Sequence, residues 1–287
     1  MSRTLKDYNS PLGKPNWCAG CGNFGTDMAL KQAMAKLDLD PDKVAVVGGI
    51  GCGASMPYWT SCYNILTLHG RPVPVATGIK LANHDLNVVV LSGDGDAYGI
   101  GMEHFIHGMR RNANIVYLVG NNSVYGLTKG QASPAAKKGF KSPSTPFGSP
   151  DPAVNPIALA LSSGCTFVAR GYAGNPVQLS ALIKQAIEHK GFALIDISQS
   201  CTSYNKLMNH DYFLDNNYSL EDAGHDSSNF ESALKHAFSV DKKAIGLFYK
   251  TEREVYEDNQ PQFKNGPLAK HDITNVNVEK LFEEYSV

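Results

Sequence analysis

The chain has 287 residues, of which 43% are hydrophobic and 18% charged, and its formal net charge is -1. This length supports one large α/β domain or two modest ones, and the balanced charge excludes a basic field for nucleic acid. No stretch approaches the roughly 18 apolar residues of a membrane helix, and the polar start lacks a signal-peptide pattern, so we expect a cytoplasmic protein that binds neither nucleic acid nor a membrane.

Hydrophobic periodicity predicts helices that alternate with short apolar strands. In chain order we predict a helix at 26–37, a strand at 44–47, a helix at 74–82, a strand at 88–91, a helix at 98–111 and a strand at 115–119. Further on we predict a strand at 166–169, a helix at 177–189, a strand at 193–197, a helix at 229–238 and a strand at 244–249. This alternation indicates an α/β fold, a mainly parallel sheet with helices on both faces.

One long segment interrupts the pattern. Residues 129–156 are rich in Pro, Ser, Gly and Lys and show almost no apolar periodicity, so we predict a long loop. A loop of that length is usually functional or disordered. We expect residues 1–240 to form one domain, and residues 241–287 to form a C-terminal extension that packs on this domain or on a partner.

Two short polar motifs follow neighbouring predicted strands. The first is Gly93-Asp94-Gly95-Asp96, and the second is Asn121-Asn122. Glycine lets the backbone approach an anion, Asp94 offers a hard oxygen to Mg²⁺, and Asn122 and the carbonyl of Val124 offer two more. An isolated Gly-Asp-Gly is most often a surface turn, but the second motif at a neighbouring strand end favours a diphosphate with its Mg²⁺.

The six cysteines form a second pattern. Cys18 and Cys21 are a close pair flanked by glycines, whereas Cys52 and Cys201 are single and follow predicted strands. Inert buried thiols, a four-cysteine zinc site and a 4Fe-4S cluster are the alternatives. A zinc site usually takes two close pairs, so the scattered positions fit a 4Fe-4S cluster better. We interpret the remaining two cysteines as structural: Cys62 and Cys165.

A histidine and an arginine lie in a turn before the second predicted helix. His69 could hydrogen-bond a cofactor phosphate or a carboxylate, and Arg71 could hold the acid group of a substrate, so both are catalytic candidates. The alternative is a solvated turn. His104 and His107 lie on one helical face, where packing or capping is the favoured interpretation.

Several ordered motifs closely resemble the beta subunit of 2-oxoacid:ferredoxin oxidoreductases. The resemblance extends from near residue 10 to beyond residue 205. The motifs that carry it are Trp17-Cys18-Ala19-Gly20-Cys21-Gly22, Gly49-Ile50-Gly51-Cys52, Thr67-Leu68-His69-Gly70-Arg71, Gly78-Ile79-Lys80, Gly93-Asp94-Gly95-Asp96, the segment 121–131 and Ser200-Cys201.

The resemblance implies the pyrophosphate-binding fold of thiamine diphosphate enzymes, with the cofactors bound by the domain 1–240. It implies Mg²⁺ held by Asp94, Asn122 and the carbonyl of Val124, and one 4Fe-4S cluster held by Cys18, Cys21, Cys52 and Cys201. The residues that it implies for thiamine diphosphate are Ile50, Gly51, Cys52, Gly53, His69, Gly95, Asp96, Gly126 and Leu127.

The reaction that the resemblance implies is oxidative decarboxylation of a 2-oxo acid, with 2-oxoglutarate favoured over pyruvate. Coenzyme A would take the acyl group, and the cluster would pass electrons singly to ferredoxin. The resemblance also implies that the reaction can run in either direction. Thiamine activation needs a glutamate that this chain lacks in a recognisable motif, so the resemblance implies an alpha subunit that supplies it, in a heterodimer or a dimer of heterodimers. The loop 129–156 would pack on that subunit. The alternatives are a non-oxidative thiamine diphosphate decarboxylase or synthase, and a zinc-stabilised binding module.

Overall fold

The computed structural model describes residues 2–274 and 277–286 of the chain. Its strands are β1 Val44–Gly48, β2 Tyr63–Leu66, β3 Asn87–Gly93, β4 Val116–Asn121, β5 Val124–Tyr125, β6 Gln131–Ala132, β7 Phe167–Tyr172, β8 Ala193–Ser198, β9 Asn217–Ser219 and β10 Lys243–Lys250. Its α-helices are α1 Asn23–Lys36, α2 Pro72–Ala82, α3 Met102–Arg111, α4 Pro156–Ser162, α5 Pro176–Glu188, α6 His210–Asn216, α7 Phe230–Ala237 and α8 Val278–Tyr285.

Eight strands form one sheet in the order β2-β1-β3-β4-β8-β7-β10-β9. The six strands from β2 to β7 are parallel, while β10 runs antiparallel to β7 and pairs in parallel with β9. The central strands β1, β4, β7 and β8 are buried along their whole length, as expected of strands covered on both faces. The predicted mainly parallel α/β sheet is confirmed.

Each face of the sheet buries its own hydrophobic core. Side chains of α2, α3, α4 and α7 pack on one face, around Phe105, Tyr117 and Phe192. On the other face, α1 and α5 pack around Leu30, Met34 and the inward side chains of the strands. The two covering layers leave the ends of the parallel strands free to carry loops, which is where open α/β sheets bind their ligands.

Several elements differ from the prediction. The helix predicted at 98–111 is broken, because Gly99 has non-helical dihedral angles within the turn Asp96–Ile100 and α3 begins only at Met102. Strand β2 was missed because all four of its side chains are exposed at the sheet edge, which removes the alternating pattern. The other elements that the prediction lacked are β5, β6, β9, α4, α6 and α8.

The long segment 129–156 contains the short strand β6 and ends where α4 starts. Asn155 caps that helix by accepting a hydrogen bond from the backbone N–H of Ala158, and Pro156 occupies the first helical turn. In the segment 241–287, β10 belongs to the main sheet, while α8 has no buried residue. Within the described residues, no helix combines the length and the apolar character needed to cross a membrane.

Candidate active site

A cavity of about 490 Å³ opens at the carboxyl ends of β1, β3, β4 and β8. Strand register brings these ends together, since Gly93 pairs with Gly120, and Gly120 pairs with Ile197. Every predicted site residue except Arg71 lines the cavity, and these residues are Cys18, Cys21, Ile50, Gly51, Cys52, Gly53, His69, Asp94, Gly95, Asp96, Asn122, Val124, Gly126, Leu127 and Cys201. Segments that are far apart in the sequence therefore share one crevice.

Arg71 points to a different neighbourhood. Its Nη1 donates to Nε2 of His104 at 2.7 Å and lies 3.6 Å from Oε1 of Glu103, both near the start of α3. Partial burial lowers the pKa of His104 and the charge of Arg71 lowers it further, although Glu103 acts in the opposite direction, so the neutral ring accepts this bond. The catalytic role of Arg71 stays a prediction.

Asp94 lies at the floor of the cavity, where it is 1% exposed. Its Oδ2 accepts a hydrogen bond from Oγ of Ser133 at 2.6 Å. Burial raises the pKa of Asp94 to about 7, although the hydrogen bonds of Ser133, Gly95 and Ser123 act in the opposite direction. Burial thus disfavours the ionised form of Asp94, and a bound cation would stabilise it, which makes Asp94 a fitting ligand for a divalent metal.

The turn after β4 places the other proposed oxygen ligands beside the cavity. Asn122 accepts the backbone N–H of Val124 through its Oδ1 at 3.1 Å, and Ser123 between them has a left-handed φ of 63°. Nδ2 of Asn205 donates to the carbonyl of Asn122 at 2.9 Å. These bonds fix the turn, so that its amide and carbonyl oxygens have defined positions in the cavity that Asp94 also lines.

Asp96 joins three cavity-lining segments. Its Oδ1 lies 2.5 Å from Nδ1 of His69 and accepts the backbone N–H of Gly70 at 2.7 Å and that of Ile50 at 3.2 Å. Its Oδ2 accepts from Ser92 at 2.6 Å. With both oxygens engaged inside the protein, Asp96 orients His69 and the Ile50 turn toward the cavity, and its predicted contact with the cofactor stays a prediction.

Gly95 has no room for a side chain. A Cβ there would overlap the ring of Tyr125, whose hydroxyl donates to the carbonyl of Gly95 at 3.2 Å. The β5–β6 hairpin therefore holds the Gly93–Asp96 turn from one side. Sequence motifs alone showed the glycine but not the aromatic ring that requires it.

Four thiols line the cavity, those of Cys18, Cys21, Cys52 and Cys201. The sulfurs of Cys52 and Cys201 lie 3.7 and 3.9 Å from the position that a Cβ of Gly126 would take, so glycine keeps the space between them open. Burial raises the pKa of the Cys21 thiol to about 11, and the nearby Cys201, Cys52 and Cys18 raise it further. Burial likewise raises the pKa of Cys52. Bound iron would reverse these effects by stabilising the thiolates.

A short segment after β8 fastens the loop that carries Cys18 and Cys21. The hydroxyl of Ser200 donates to the carbonyl of Gly20 at 3.2 Å, and that of Thr202 donates to the carbonyl of Ala19 at 3.1 Å. The hydroxyl of Ser203 donates to the sulfur of Cys18 at 3.1 Å. The segment thus presents the thiol of Cys201 and positions two others.

Several site residues were not recognised from the sequence. Trp17 donates from Nε1 to the carbonyl of Cys52 at 2.7 Å, which fixes the turn that carries this thiol. Nε2 of Gln199 donates to Oδ1 of Asn23 at 3.1 Å, while its Oε1 is buried without a partner in the described part of the protein. Trp17 lies within a motif, but nothing in the sequence indicated Gln199 or Asn23.

The thiols of the cavity do not converge on a single metal ion in the described part of the protein. Over residues 2–274 and 277–286, no group of three or more His, Cys, Asp or Glu side chains is arranged to do so. A single zinc ion binds each of its thiolate sulfurs at about 2.3 Å, so the sulfurs must converge on one point. In a four-iron cluster each thiolate binds a different iron, so the cysteine sulfurs lie farther from one another. The proposed Mg²⁺ ligands include only one side chain of these four types.

The mainly parallel sheet and the cavity at its carboxyl ends are typical of an α/β protein that binds thiamine diphosphate, and a family model specifies this class. Residues 49–197 match the family model of the thiamine pyrophosphate enzyme C-terminal TPP binding domain. Residues 201–265 match the C-terminal family model of the pyruvate ferredoxin oxidoreductase beta subunit. These matches confirm the predicted pyrophosphate-binding fold.

Relatives specify the family. The chain is 44% identical over 276 residues to the 2-oxoacid:ferredoxin oxidoreductase subunit beta of Saccharolobus solfataricus, which covers 90% of each chain. It is 40% identical over 200 residues to the 2-oxoglutarate oxidoreductase subunit KorB of Mycobacterium tuberculosis, covering 70% of this chain and 53% of that one. The chain belongs to the beta subunits of 2-oxoacid:ferredoxin oxidoreductases, and a beta subunit implies an alpha-subunit partner.

A solved structure extends the similarity over nearly the whole molecule. The 2-oxoglutarate:ferredoxin oxidoreductase from Magnetococcus marinus, with 2-oxoglutarate, coenzyme A and succinyl-CoA bound, superposes with a TM-score of 0.91 at 38% identity. The match covers 99% of this chain and 97% of that one. The predicted family membership and fold are therefore confirmed.

Proposed function

We propose that this chain, together with an alpha subunit, catalyses CoA-dependent oxidative decarboxylation of a 2-oxo acid and passes the electrons through a 4Fe-4S cluster to ferredoxin. The products are an acyl-CoA and CO₂, and the reaction runs in either direction according to the reduction state of ferredoxin. One observation carries the proposal: a diphosphate-and-metal turn and four thiols line the same cavity.

The residues of the metal turn fit Mg²⁺ bound to a diphosphate. Asp94 supplies a buried carboxylate, and Asn122 and the carbonyl of Val124 supply neutral oxygens from a hydrogen-bonded turn. Mg²⁺ prefers such oxygen ligands and keeps phosphate oxygens and water in its remaining positions. The unpartnered Oε1 of Gln199 gives the same cavity a buried acceptor for a polar group of the cofactor.

The thiols fit a 4Fe-4S cluster held by Cys18, Cys21, Cys52 and Cys201. Their loops come from the start of the chain, the end of β1 and the end of β8, and Gly126 leaves the space between two of the sulfurs open. A reducing compartment such as the cytoplasm keeps these cysteines available as ligands.

When bound, thiamine diphosphate supplies the electron sink that lets a 2-oxo acid lose CO₂, and the cluster carries electrons away one at a time. The chain itself orients and encloses these groups. Asp96 holds His69 against the cavity wall, which leaves the second ring nitrogen of His69 free to bond a phosphate or a carboxylate. Trp17 and Gly126 set the position of Cys52 between the two centres.

The site needs groups from the alpha subunit. Asp94 and Asp96 are the only acidic side chains among the described residues that line the cavity, and both are buried on its floor. Thiamine activation needs a glutamate, so we propose that the alpha subunit supplies it from the open side and that the loop 129–156 packs against that subunit. The isolated beta chain is then inactive.

The proposed substrate is 2-oxoglutarate ahead of pyruvate. The relatives from M. tuberculosis and M. marinus act on 2-oxoglutarate by name, while the name of the S. solfataricus protein specifies only a 2-oxo acid. The side chain of the substrate would extend toward the open side of the cavity, so this preference depends in part on the alpha subunit.

An anaerobic visible spectrum tests the electron-transfer part of the proposal. We expect the purified alpha-beta enzyme to show broad absorbance that bleaches with dithionite. Cys21→Ser should remove this absorbance, and Cys62→Ser, a half-buried thiol outside the cavity, is the matched control that should retain it. Wild-type enzyme without such absorbance, after anaerobic preparation and iron-sulfur reconstitution, would favour a non-oxidative thiamine enzyme.

A further inference from the structure

A second cavity, of about 200 Å³, lies behind the metal turn. It is enclosed by parts of the loop 129–156, the end of β4, β7 and the start of β10. Four basic side chains line it, and its described lining contains no Asp or Glu: these side chains are Lys137, Arg170, His236 and Lys243. We call this space the basic cavity.

Among the three cationic side chains of the basic cavity, Arg170 and Lys137 have polar partners in the described part of the protein and Lys243 has none. Arg170 is buried and paired with Asp196, with Nε and Oδ2 at 2.9 Å. Lys137 donates to the hydroxyl of Tyr212 at 3.0 Å. Lys243, the half-buried first residue of β10, has neither a side-chain hydrogen bond nor an ion pair within the described residues. One ammonium group in the cavity therefore has no neutralising partner of its own.

The surroundings of Lys243 disfavour an uncompensated charge. Burial lowers its pKa to about 8, Arg170 and Lys137 lower it further, and Asp196 and Asp94 act in the opposite direction. A partly enclosed ammonium group that also repels two neighbouring cations is stabilised when an anion enters the cavity. The uncompensated charge of Lys243 therefore favours an anionic ligand, and the cavity has room for a small one.

Asn121 adds a requirement that a simple anion does not meet. Its Nδ2 donates to Oδ1 of Asp196 at 3.0 Å, but its buried Oδ1 has no partner in the described part of the chain. A ligand that donates a hydrogen bond to this oxygen would stabilise it, because a buried acceptor without a partner costs about 1–3 kcal/mol. The matching ligand carries acceptor oxygens for the cations and one O–H for Asn121.

We propose that the basic cavity binds a small oxyanion that retains a proton, of the hydrogen phosphate or hydrogen carbonate type. Lys243 and Lys137 face its oxygens, and Oδ1 of Asn121 accepts its O–H. The site is separate from the cofactor cavity, although Asn121 precedes the proposed metal ligand Asn122. It does not depend on the proposed reaction.

Anion binding to the complete enzyme tests the proposal. The alpha-beta enzyme is first saturated with thiamine diphosphate and Mg²⁺, so that added anions cannot enter the diphosphate position. Inorganic phosphate, hydrogen carbonate and sulfate are then titrated separately near neutral pH by calorimetry at constant ionic strength. We expect saturable binding of phosphate or hydrogen carbonate, at least about tenfold tighter than that of sulfate, which has no proton to donate.

Paired lysine variants locate the site. Lys243→Met should weaken binding of the preferred anion at least about tenfold, since it removes the unpaired cation. Lys242→Met removes the same charge from the neighbouring exposed position and should leave the affinity unchanged. Equal binding of sulfate, absence of saturable binding, or equal effects of the two variants would overturn the proposal. The comparison of anions on wild-type enzyme decides the matter even if Lys243→Met does not fold.

Discussion

Removing the charge of Asp94 should have opposite effects on the cofactor-free and the cofactor-bound enzyme. In Asp94→Asn the new amide oxygen can still accept the hydrogen bond from Ser133, while the buried negative charge is lost. The folded-state pKa of Asp94 is about 7 and the usual value is 3.8. At about 1.4 kcal/mol per tenfold change in proton affinity, ionised Asp94 costs the metal-free fold about 4 kcal/mol.

The stability of the metal-free wild type should fall as pH rises, because the pKa of Asp94 is higher in the folded than in the unfolded chain. As pH rises above 3.8 the unfolded chain loses this proton first, while the folded protein keeps it until about pH 7. Stability therefore falls with rising pH across this window and levels off above it. Ionisation of Asp94 lowers the free energy of unfolding of the wild type by about 1.5 kcal/mol at pH 5 and by about 4 kcal/mol at pH 8. The stability of Asp94→Asn relative to the wild type should therefore rise by about 2.5 kcal/mol from pH 5 to pH 8.

Urea unfolding of the metal-free enzyme at pH 5 and pH 8 measures this difference. Asp151→Asn, which removes an exposed carboxylate from the loop 129–156, is the control and should show no such gain. Adding Mg²⁺ and thiamine diphosphate at about 100 times the dissociation constant should stabilise the wild type by about 2.7 kcal/mol and leave Asp94→Asn unchanged. A stability gap that stays constant with pH, or equal cofactor stabilisation of both proteins, would refute the role of Asp94.

Three further substitutions probe the proposed cluster and the thiamine diphosphate site. Cys21→Ser should abolish the cluster absorbance yet retain Mg²⁺-dependent binding of thiamine diphosphate by calorimetry, and loss of both would argue against separate sites. Ser203→Ala removes a hydroxyl donor to a cluster sulfur, so the cluster midpoint potential in an EPR-monitored titration should fall, by about a fivefold change in the reduced-to-oxidised ratio. Thr202→Val, which loses only a bond to a carbonyl, should not shift it. Gly95→Ala forces a Cβ into the ring of Tyr125 and should weaken cofactor binding at least about tenfold, whereas Gly78→Ala, with open space around it, should not.

The sequence was most informative where periodicity and motifs agreed. Buried apolar runs predicted β1, β3, β4, β7 and β8, because strands covered on both faces need continuous hydrophobic sequence, and the apolar run at 244–249 predicted the partly buried β10. Polar motifs placed after those strands lie at the carboxyl edge of a parallel sheet, and the structure brings Asp94, Asn122, Cys52 and Cys201 together in one crevice at that edge. Local chemistry and the geometry of parallel sheets together carry that much information.

What the sequence could not supply depends on contacts between distant segments. The orphan oxygen of Gln199 and the hydroxyl that Ser133 offers to Asp94 arise only when loops from different strands meet. Arg71 looked like a substrate ligand, yet α3 places Glu103 and His104 within its reach. The edge strand β2 left no pattern, since its side chains face solvent.

The measurement that tests the central claim most directly is a viologen-linked assay of the co-purified alpha-beta enzyme against a panel of 2-oxo acids. We expect viologen reduction that requires coenzyme A, thiamine diphosphate and Mg²⁺, that is fastest with 2-oxoglutarate, and that neither subunit performs alone. Release of CO₂ from a 2-oxo acid without reduction of the acceptor, or full activity of the isolated beta chain, would contradict the account.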